Sequence, residues 1–295
     1  MSITSIAGKK IISLHAWCIV SRKNNFSYTK EYQFMNTEKI KYLVINLPES
    51  EKRRNSILEQ AVMHGIRIEL VEAVSGKSLT EAQRAMYLPH ERSKRFVRHL
   101  SDNEQACLHS HRKALEIFLA SESEYCVVLE DDALLDEQFV SGVHYLTENV
   151  GGWTCMRLYS IDCKRYNLLD MPAVDPFKLV FPRNNSCITV GYLHTRKSAE
   201  VLLEHSKTFY LETDNLWGRI LMKEKILTPA VYPNLVHLEP GNSSASDIDK
   251  DDPRTEAKKT ARSLLQYLRF RMERAVYSRQ KMRMIEMLRK SLFIK

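Results

Sequence analysis

Short apolar runs rich in β-branched residues alternate along this chain with longer stretches whose apolar positions recur every three to four residues. No other feature limits the fold as much, because strands that alternate with helices require crossover connections and a mainly parallel sheet. "KYLVINL" (Lys41 to Leu47) is the first strand, and "PESEKRRNSILEQAVMHG" follows it. There Pro48, Glu49 and Glu51 suit a first helical turn, Ile57, Leu58, Ala61 and Val62 fall on one face, and Gly65 suits the stop. "IRIELVEAVSG" reads as a second strand ending in a turn at Ser75 and Gly76. Ser101, Asp102, Asn103 and Glu104 offer N-cap residues to a helix over "QACLHSHRKALEIFLASES", and "YCVVL" is the next strand. Beyond it "DEQFVSGVHYLTENVG" is helical, "TCMRLYS" and "SCITVGYLHT" are strands, and "RKSAEVLLEHS" is a helix. "LETDNLWGRILMKE" is a last helix of the body, with Thr213 or Asp214 as its N-cap. The fold class expected is α/β.

In such sheets ligands gather at the carboxyl ends of the strands. Asn46, Ser75, Glu130, Asp131 and Asp132 all stand at strand ends, so they are expected to share one rim. The run "EYCVVLEDDALL" places three carboxylates directly after a buried strand. Like charges on neighbouring residues repel, so the arrangement invites a cation. Hard oxygen ligands of this kind suit Mg²⁺ or Mn²⁺, and a solvated acidic turn is the plainer alternative. Neither GxGxxG nor GxxxxGK[ST] occurs, so a phosphate ligand would depend on such a metal.

The formal net charge of +8 looks at first like a nucleic-acid signal. From Arg254 to Lys295, however, thirteen Lys and Arg face three Glu, a net of +10, and the preceding residues carry +8 minus +10, or −2. The basicity belongs to the tail, and no aromatic platform or base-reading motif accompanies it, so no nucleic-acid partner is expected. In that tail Leu264, Leu265, Leu268, Met272, Ala275, Val276, Ile285, Leu288 and Leu292 fall near helical spacing between the cations. A basic amphipathic helix suits an anionic membrane surface. Packing on the body and partner binding remain the other roles open to it. Six cysteines without a CxxC pair indicate a reducing compartment and no structural zinc. With no apolar stretch long enough to cross a bilayer, a cytoplasmic enzyme at the inner face of the membrane is expected. Three regions follow: 1–38, an extension or a misplaced start ahead of the strong pattern; 39–250, the catalytic domain; and 251–295, the helical tail.

The segments "YLVINLPESEKRR", "VEAVSG", "NEQACLHSHRKA", "VVLEDDA", "VGYLHTRKSAEVL", "ETDNLW" and "PNLVHLEPGNSSASDI" occur here in an order that resembles glycosyltransferase family 25. That family includes bacterial lipooligosaccharide glycosyltransferases and collagen galactosyltransferases. The chain departs from the family at Asn103 and Ala106, where glycines are usual. The resemblance implies a GT-A type fold, a nucleotide-sugar donor and inversion at the anomeric carbon. It puts "LEDD" in the place of the Asp-x-Asp motif, so that Asp132 holds Mn²⁺ or Mg²⁺ and Glu130 lies near the ribose or the metal shell. His237 occupies a position similar to that of a late metal-binding histidine, with a structural strand histidine as the alternative.

Inversion by direct displacement needs a carboxylate to take the acceptor's proton. Asp214 is the first choice and Glu104 the rival, although each also suits a helix start. Arg53 and Arg54 are candidates for the diphosphate, and Asn46, Ser75, Glu130 and Asp131 for the nucleotide. Trp217 reads as a core residue before a sugar platform, and His111 as a hydrogen-bonded helix histidine before a ligand. The expected reaction moves a hexose, galactose from UDP-galactose first, onto a lipooligosaccharide core. A nucleotidyltransferase using the same acids, and a nucleic-acid-binding protein acting through its tail, are the alternatives.

Overall fold

A computed structural model describes residues 39–94, 98–160, 167–170, 177–182, 189–226 and 228–238, with positions 272, 275–276, 279–280, 282–283 and 293–294 near the C-terminus. The first strand, β1 (Ile40–Asn46), turns into α1 (Glu51–Met63), which ends where Gly65 takes a positive φ of 65°. Next come β2 (Ile68–Glu72), a 3₁₀ turn over Gly76–Ser78, and the short helices α2 (Glu81–Ala85) and α3 (Pro89–Ser93). Helix α4 (Asp102–Leu119) starts from a capping box in which Ser101 and Glu104 satisfy each other's backbone N–H. It leads to β3 (Tyr125–Glu130), the brief β4 (Ala133–Leu135) and α5 (Phe139–Asn149).

The second half contributes β5 (Val150–Gly151), β6 (Cys155–Arg157), β7 (Asn167–Asp170), β8 (Lys178–Pro182) and β9 (Gly191–Thr195). Helices α6 (Arg196–His205) and α7 (Thr213–Lys223) and strands β10 (Ala230–Tyr232) and β11 (Val236–Leu238) complete the body, and β12 (Phe293–Ile294) pairs with β5. The N-cap residue of α7 is Glu212, one position before the expected Thr213 and two before Asp214.

Eight strands form one sheet in the order β2-β1-β3-β9-β6-β10-β8-β7. The β1–β2, β1–β3 and β6–β10 pairs are parallel, and β9 and β8 are antiparallel to each of their neighbours. Six strands therefore run one way, in keeping with the mainly parallel sheet that the alternation demanded. Parallel β2, β1 and β3 bring their carboxyl ends to one rim: Asn46 is in register with Glu72, and Ile45 with Glu130.

Period-two alternation sorts the side chains of this sheet. Ile40, Tyr42 and Val44 of β1 and Val127 and Leu129 of β3 pack with Ile57 and Ala61 of α1 and Phe139, Val143 and Leu146 of α5. Leu43, Ile45, Cys126 and Val128 face the other way, onto Leu108, Leu115 and Phe118 of α4, Leu202 of α6 and Trp217 of α7. Because both sheet faces are covered, the strands read as nearly continuous apolar runs, which makes them legible in the sequence. The short β4, β10 and β11, with one or two core positions each, carry no such pattern.

Expectations for the leading segment and for most of the tail concern positions outside the described residues. Within the tail, the described positions Met272, Val276 and Met282 are helical and exposed. Among the described residues no helix is long and apolar enough to cross a membrane.

Candidate active site

A cleft of about 410 Å³ opens where the rim meets α4. Three segments build it. The end of β3 brings Glu130, Asp131 and Asp132; the turn after β2 brings Ser75, Gly76 and Lys77; and α4 presents Asn103, Ala106, Cys107, Ser110 and His111, which share a face by helical spacing. Arg53 enters from α1. Ser110 Oγ accepts from the Val74 N–H at 2.8 Å, fastening the turn after β2 to the helix.

The three carboxylates differ in their surroundings. Asp131 is buried, accepts a 2.7 Å hydrogen bond from Asn46 Nδ2 and pairs with Arg53 at 3.4 Å. Burial still lifts its proton affinity above the usual carboxylate range. Glu130 accepts hydrogen bonds from His111 Nε2 (3.1 Å) and from the Thr189 hydroxyl. Burial pushes its pKa upward, but these donors and the charges of His111 and Arg53 outweigh it and hold the group below its ordinary value. Asp132 has no such donors: burial first, then the charges of Glu130 and Asp131, raise its pKa to about 7. One of its oxygens, Oδ1, is buried without a hydrogen-bond partner. A buried carboxylate oxygen left unsatisfied beside two like charges is the environment a divalent cation would relieve.

Asp214, at the start of α7, lies within electrostatic reach of this cluster. Burial and the charge of Glu130 raise its pKa to about 8, and its Oδ1 is buried and unpartnered. Thr189, just before β9, donates its hydroxyl to Glu130. Nothing in the sequence around it marks that role, since it precedes β9 in a run that reads only as strand.

Of the candidate residues, Arg53, Ser75, Glu130, Asp131 and Asp132 line the cleft, with Asn46 directly behind Asp131. Arg54 instead donates to the Pro48 carbonyl at 2.8 Å and does not reach the lining. Glu104 is turned away: both its oxygens accept from Arg98, at 2.6 and 2.8 Å, and one also accepts from the Ser101 N–H. Burial raises its pKa, but Arg98 and the backbone N–H more than compensate, so Glu104 is a poor proton acceptor and serves the helix start rather than the base role.

His237 is exposed on β11 opposite Leu134 and bonds Asp136 at 3.1 Å. It is not among the residues that line the cleft, and its partner is Asp136 and not Asp132. Trp217 is 1% exposed and meets the His111 ring edge-on at 5.2 Å, a core position that offers no face to a sugar. His111 takes the role of partner to Glu130, and Cys107, which shares the segment "NEQACLHSHRKA" with it, stands one turn earlier on the same helix. The ligand atoms of Cys107, His111 and Glu130 lie within 4.8 Å of one another.

The family model for glycosyltransferase family 25 (LPS biosynthesis protein) matches residues 39–217, which contain every cleft residue. Human procollagen galactosyltransferase 2 is 32% identical over 111 residues, covering 36% of this chain and 18% of that protein. A glycosyltransferase 25 family member of Aedes aegypti is 27% identical over 168 residues, covering 55% of this chain and 27% of the relative. One of Anopheles gambiae is 27% identical over 167 residues, covering 54% and 28%. The matched region is thus less than a third of the length of these curated relatives.

Proposed function

This chain belongs to glycosyltransferase family 25, and from that premise we propose that it transfers a hexose, galactose from UDP-galactose first, to a lipooligosaccharide core with inversion. Galactose is favoured because a relative is named as a galactosyltransferase, and the lipooligosaccharide acceptor because the family model is described by LPS biosynthesis. The observation that carries the reading is the acidic rim: Asp132, with a buried unpartnered oxygen and a pKa near 7, stands beside Glu130 and Asp131 in a cleft that Arg53 also enters. A GT-A type fold would place the donor diphosphate there, at the carboxyl ends of parallel strands.

Asp132, with Glu130 beside it, would hold Mn²⁺ or Mg²⁺, which when bound supplies charge neutralisation to the UDP leaving group. Arg53 offers a guanidinium to the diphosphate, and its pairing with Asp131 aims it into the cleft. Ser75 and the neighbouring backbone border the space for the nucleoside, and Asn46 fixes Asp131 from behind. His111 and Thr189 keep Glu130 ionised and oriented. Asp214 takes the proton from the acceptor hydroxyl; a carboxylate raised to about 8 is matched to general-base work near neutral pH. The basic stretch from Arg254 to Lys295, at net +10, would hold the enzyme on an anionic cytoplasmic membrane face, where a lipid-linked acceptor is presented.

The test is UDP release from a panel of UDP-sugars with truncated lipooligosaccharide as acceptor, with Mn²⁺ or EDTA, for the wild type and Asp132→Ala. Metal-dependent turnover of one donor, absent in the variant, supports the reading and names the sugar. Release of pyrophosphate instead of UDP would identify a nucleotidyltransferase, and equal turnover in EDTA would remove the metal from the rim.

A further inference from the structure

We propose that Cys107, His111 and Glu130 form a binding site for a single thiophilic divalent cation, zinc in the first instance, which shares Glu130 with the hard-cation site at Asp132 but adds a thiolate and an imidazole that Asp132 lacks. The binding claim does not rest on the transferase reading. Cys107 and His111 are one turn apart on α4, at i and i+4, so their side chains project from the same face toward the end of β3. Glu130 closes the group from the strand, and the three candidate ligand atoms already lie within 4.8 Å of one another. Zinc bonds of about 2.0 to 2.3 Å to nitrogen, oxygen and sulfur are reached from there by side-chain movement of about 1 Å.

The donor set decides which ion. A thiolate with an imidazole and one carboxylate favours zinc over Mg²⁺ or Mn²⁺, which prefer oxygen. Three protein ligands leave the fourth tetrahedral position toward the cleft that Cys107, His111 and Glu130 all line. His111 is 1% exposed, and its Nδ1 is buried without a partner, so the ring's polar contact runs through Nε2 to Glu130. Thr213 contacts the Cys107 sulfur at 3.5 Å from the opposite helix, and burial first, then the charge of Glu130, push the thiol's pKa up, so the proton stays on sulfur until a cation displaces it. On binding, the thiol proton and the Nε2 proton of the His111 imidazolium leave to solvent while Nδ1 keeps its own, freeing Nε2 and sulfur as ligands.

The experiment titrates the reduced, metal-free full-length chain with Co²⁺, which reports its ligands by absorption, and then displaces it with Zn²⁺. One equivalent of Co²⁺ is expected to give a thiolate-to-cobalt charge-transfer band that Zn²⁺ bleaches. Cys107→Ser removes the band, His111→Asn weakens binding by more than about 100-fold, the upper end for losing even an outer-shell partner, and Asp132→Asn retains the band. No charge-transfer band in the wild type overturns the proposal whether or not the variants fold. A band that persists in folded Cys107→Ser, or is lost in folded Asp132→Asn, overturns it as well. No turnover is read, so a failure here is distinguishable from a failure of the transferase reading.

Discussion

Asn46 and Asp131, 85 positions apart in the chain, meet at the head of the sheet, where Asn46 Nδ2 donates to Asp131 Oδ2 at 2.7 Å. The parallel pairing of β1 with β3 makes the contact, and it joins the first strand to the acidic run. Replacing Asn46 by Leu leaves a buried carboxylate oxygen without its donor. The variant is expected to lose about 1–3 kcal/mol, read as a lower denaturant midpoint with an unchanged slope.

Asp132 shows the opposite balance. Its folded pKa of about 7 lies above its ordinary value, so its ionised form opposes folding as pH rises through that interval. Without divalent cations near pH 8, Asp132→Asn should therefore be more stable than wild type, by on the order of 1–3 kcal/mol. Added Mn²⁺ should narrow the difference by stabilising the wild type alone. Calorimetry with and without the metal reads both effects, and equal melting temperatures throughout would remove the repulsion from the account.

Asp214 and Glu104 separate under substitution. Asp214→Asn is expected to lower kcat about 10²- to 10⁴-fold while donor affinity changes little. Glu104→Gln breaks the bidentate pair with Arg98, so it should cost about 3–5 kcal/mol in stability while the folded fraction keeps turning over. Steady-state kinetics beside denaturation curves distinguish them, and exchanged phenotypes would return the base role to Glu104.

His194 supplies a pH dependence of stability. It is fully buried between Ser198, Cys155 and the rings of Tyr192 and Trp217. Burial, then the charge of His111, lowers its pKa from 6.5 to about 3, so between those values the unfolded chain binds a proton that the native chain refuses. The contribution is intact above 6.5 and is lost as pH falls. The loss reaches about 3 kcal/mol near pH 4. Denaturation curves across that window should show a slope that His194→Gln lacks.

Gly76 lines the cleft where the turn after β2 crosses the start of α4. A Cβ there would come within 2.8 Å of the Asn103 backbone nitrogen and 2.9 Å of the Asp102 carbonyl carbon. Backbone cannot rotate aside, so Gly76→Ala should displace the turn from the helix, costing about 1–3 kcal/mol. Donor KM should rise as well, because Ser75 and Lys77 move with it; stability loss at unchanged KM would separate this turn from donor binding.

Strands β1, β2, β3, β6 and β9, helices α1, α4, α5, α6 and α7, the N-cap residues of α4 and the acidic rim are legible in the residues themselves, because buried parallel strands must be apolar runs and helix starts must satisfy their orphan N–H groups. The same local signals do not tell Glu104 from Asp214. Both are acids at a helix start, and only the tertiary structure brings Arg98 to one and leaves the other with a buried, unpartnered oxygen. His237 and Arg54 likewise have suitable chemistry, but strand and turn geometry carries them to Asp136 and to the Pro48 carbonyl. Thr189, and the meeting of Cys107 and His111 with Glu130, depend entirely on which helix packs over which strand end. Residue type and periodicity act over a few positions and so determine the elements and the face each buries. Proton affinity and ligand geometry depend on neighbours from distant parts of the chain, and those only the folded sheet and its covering helices decide.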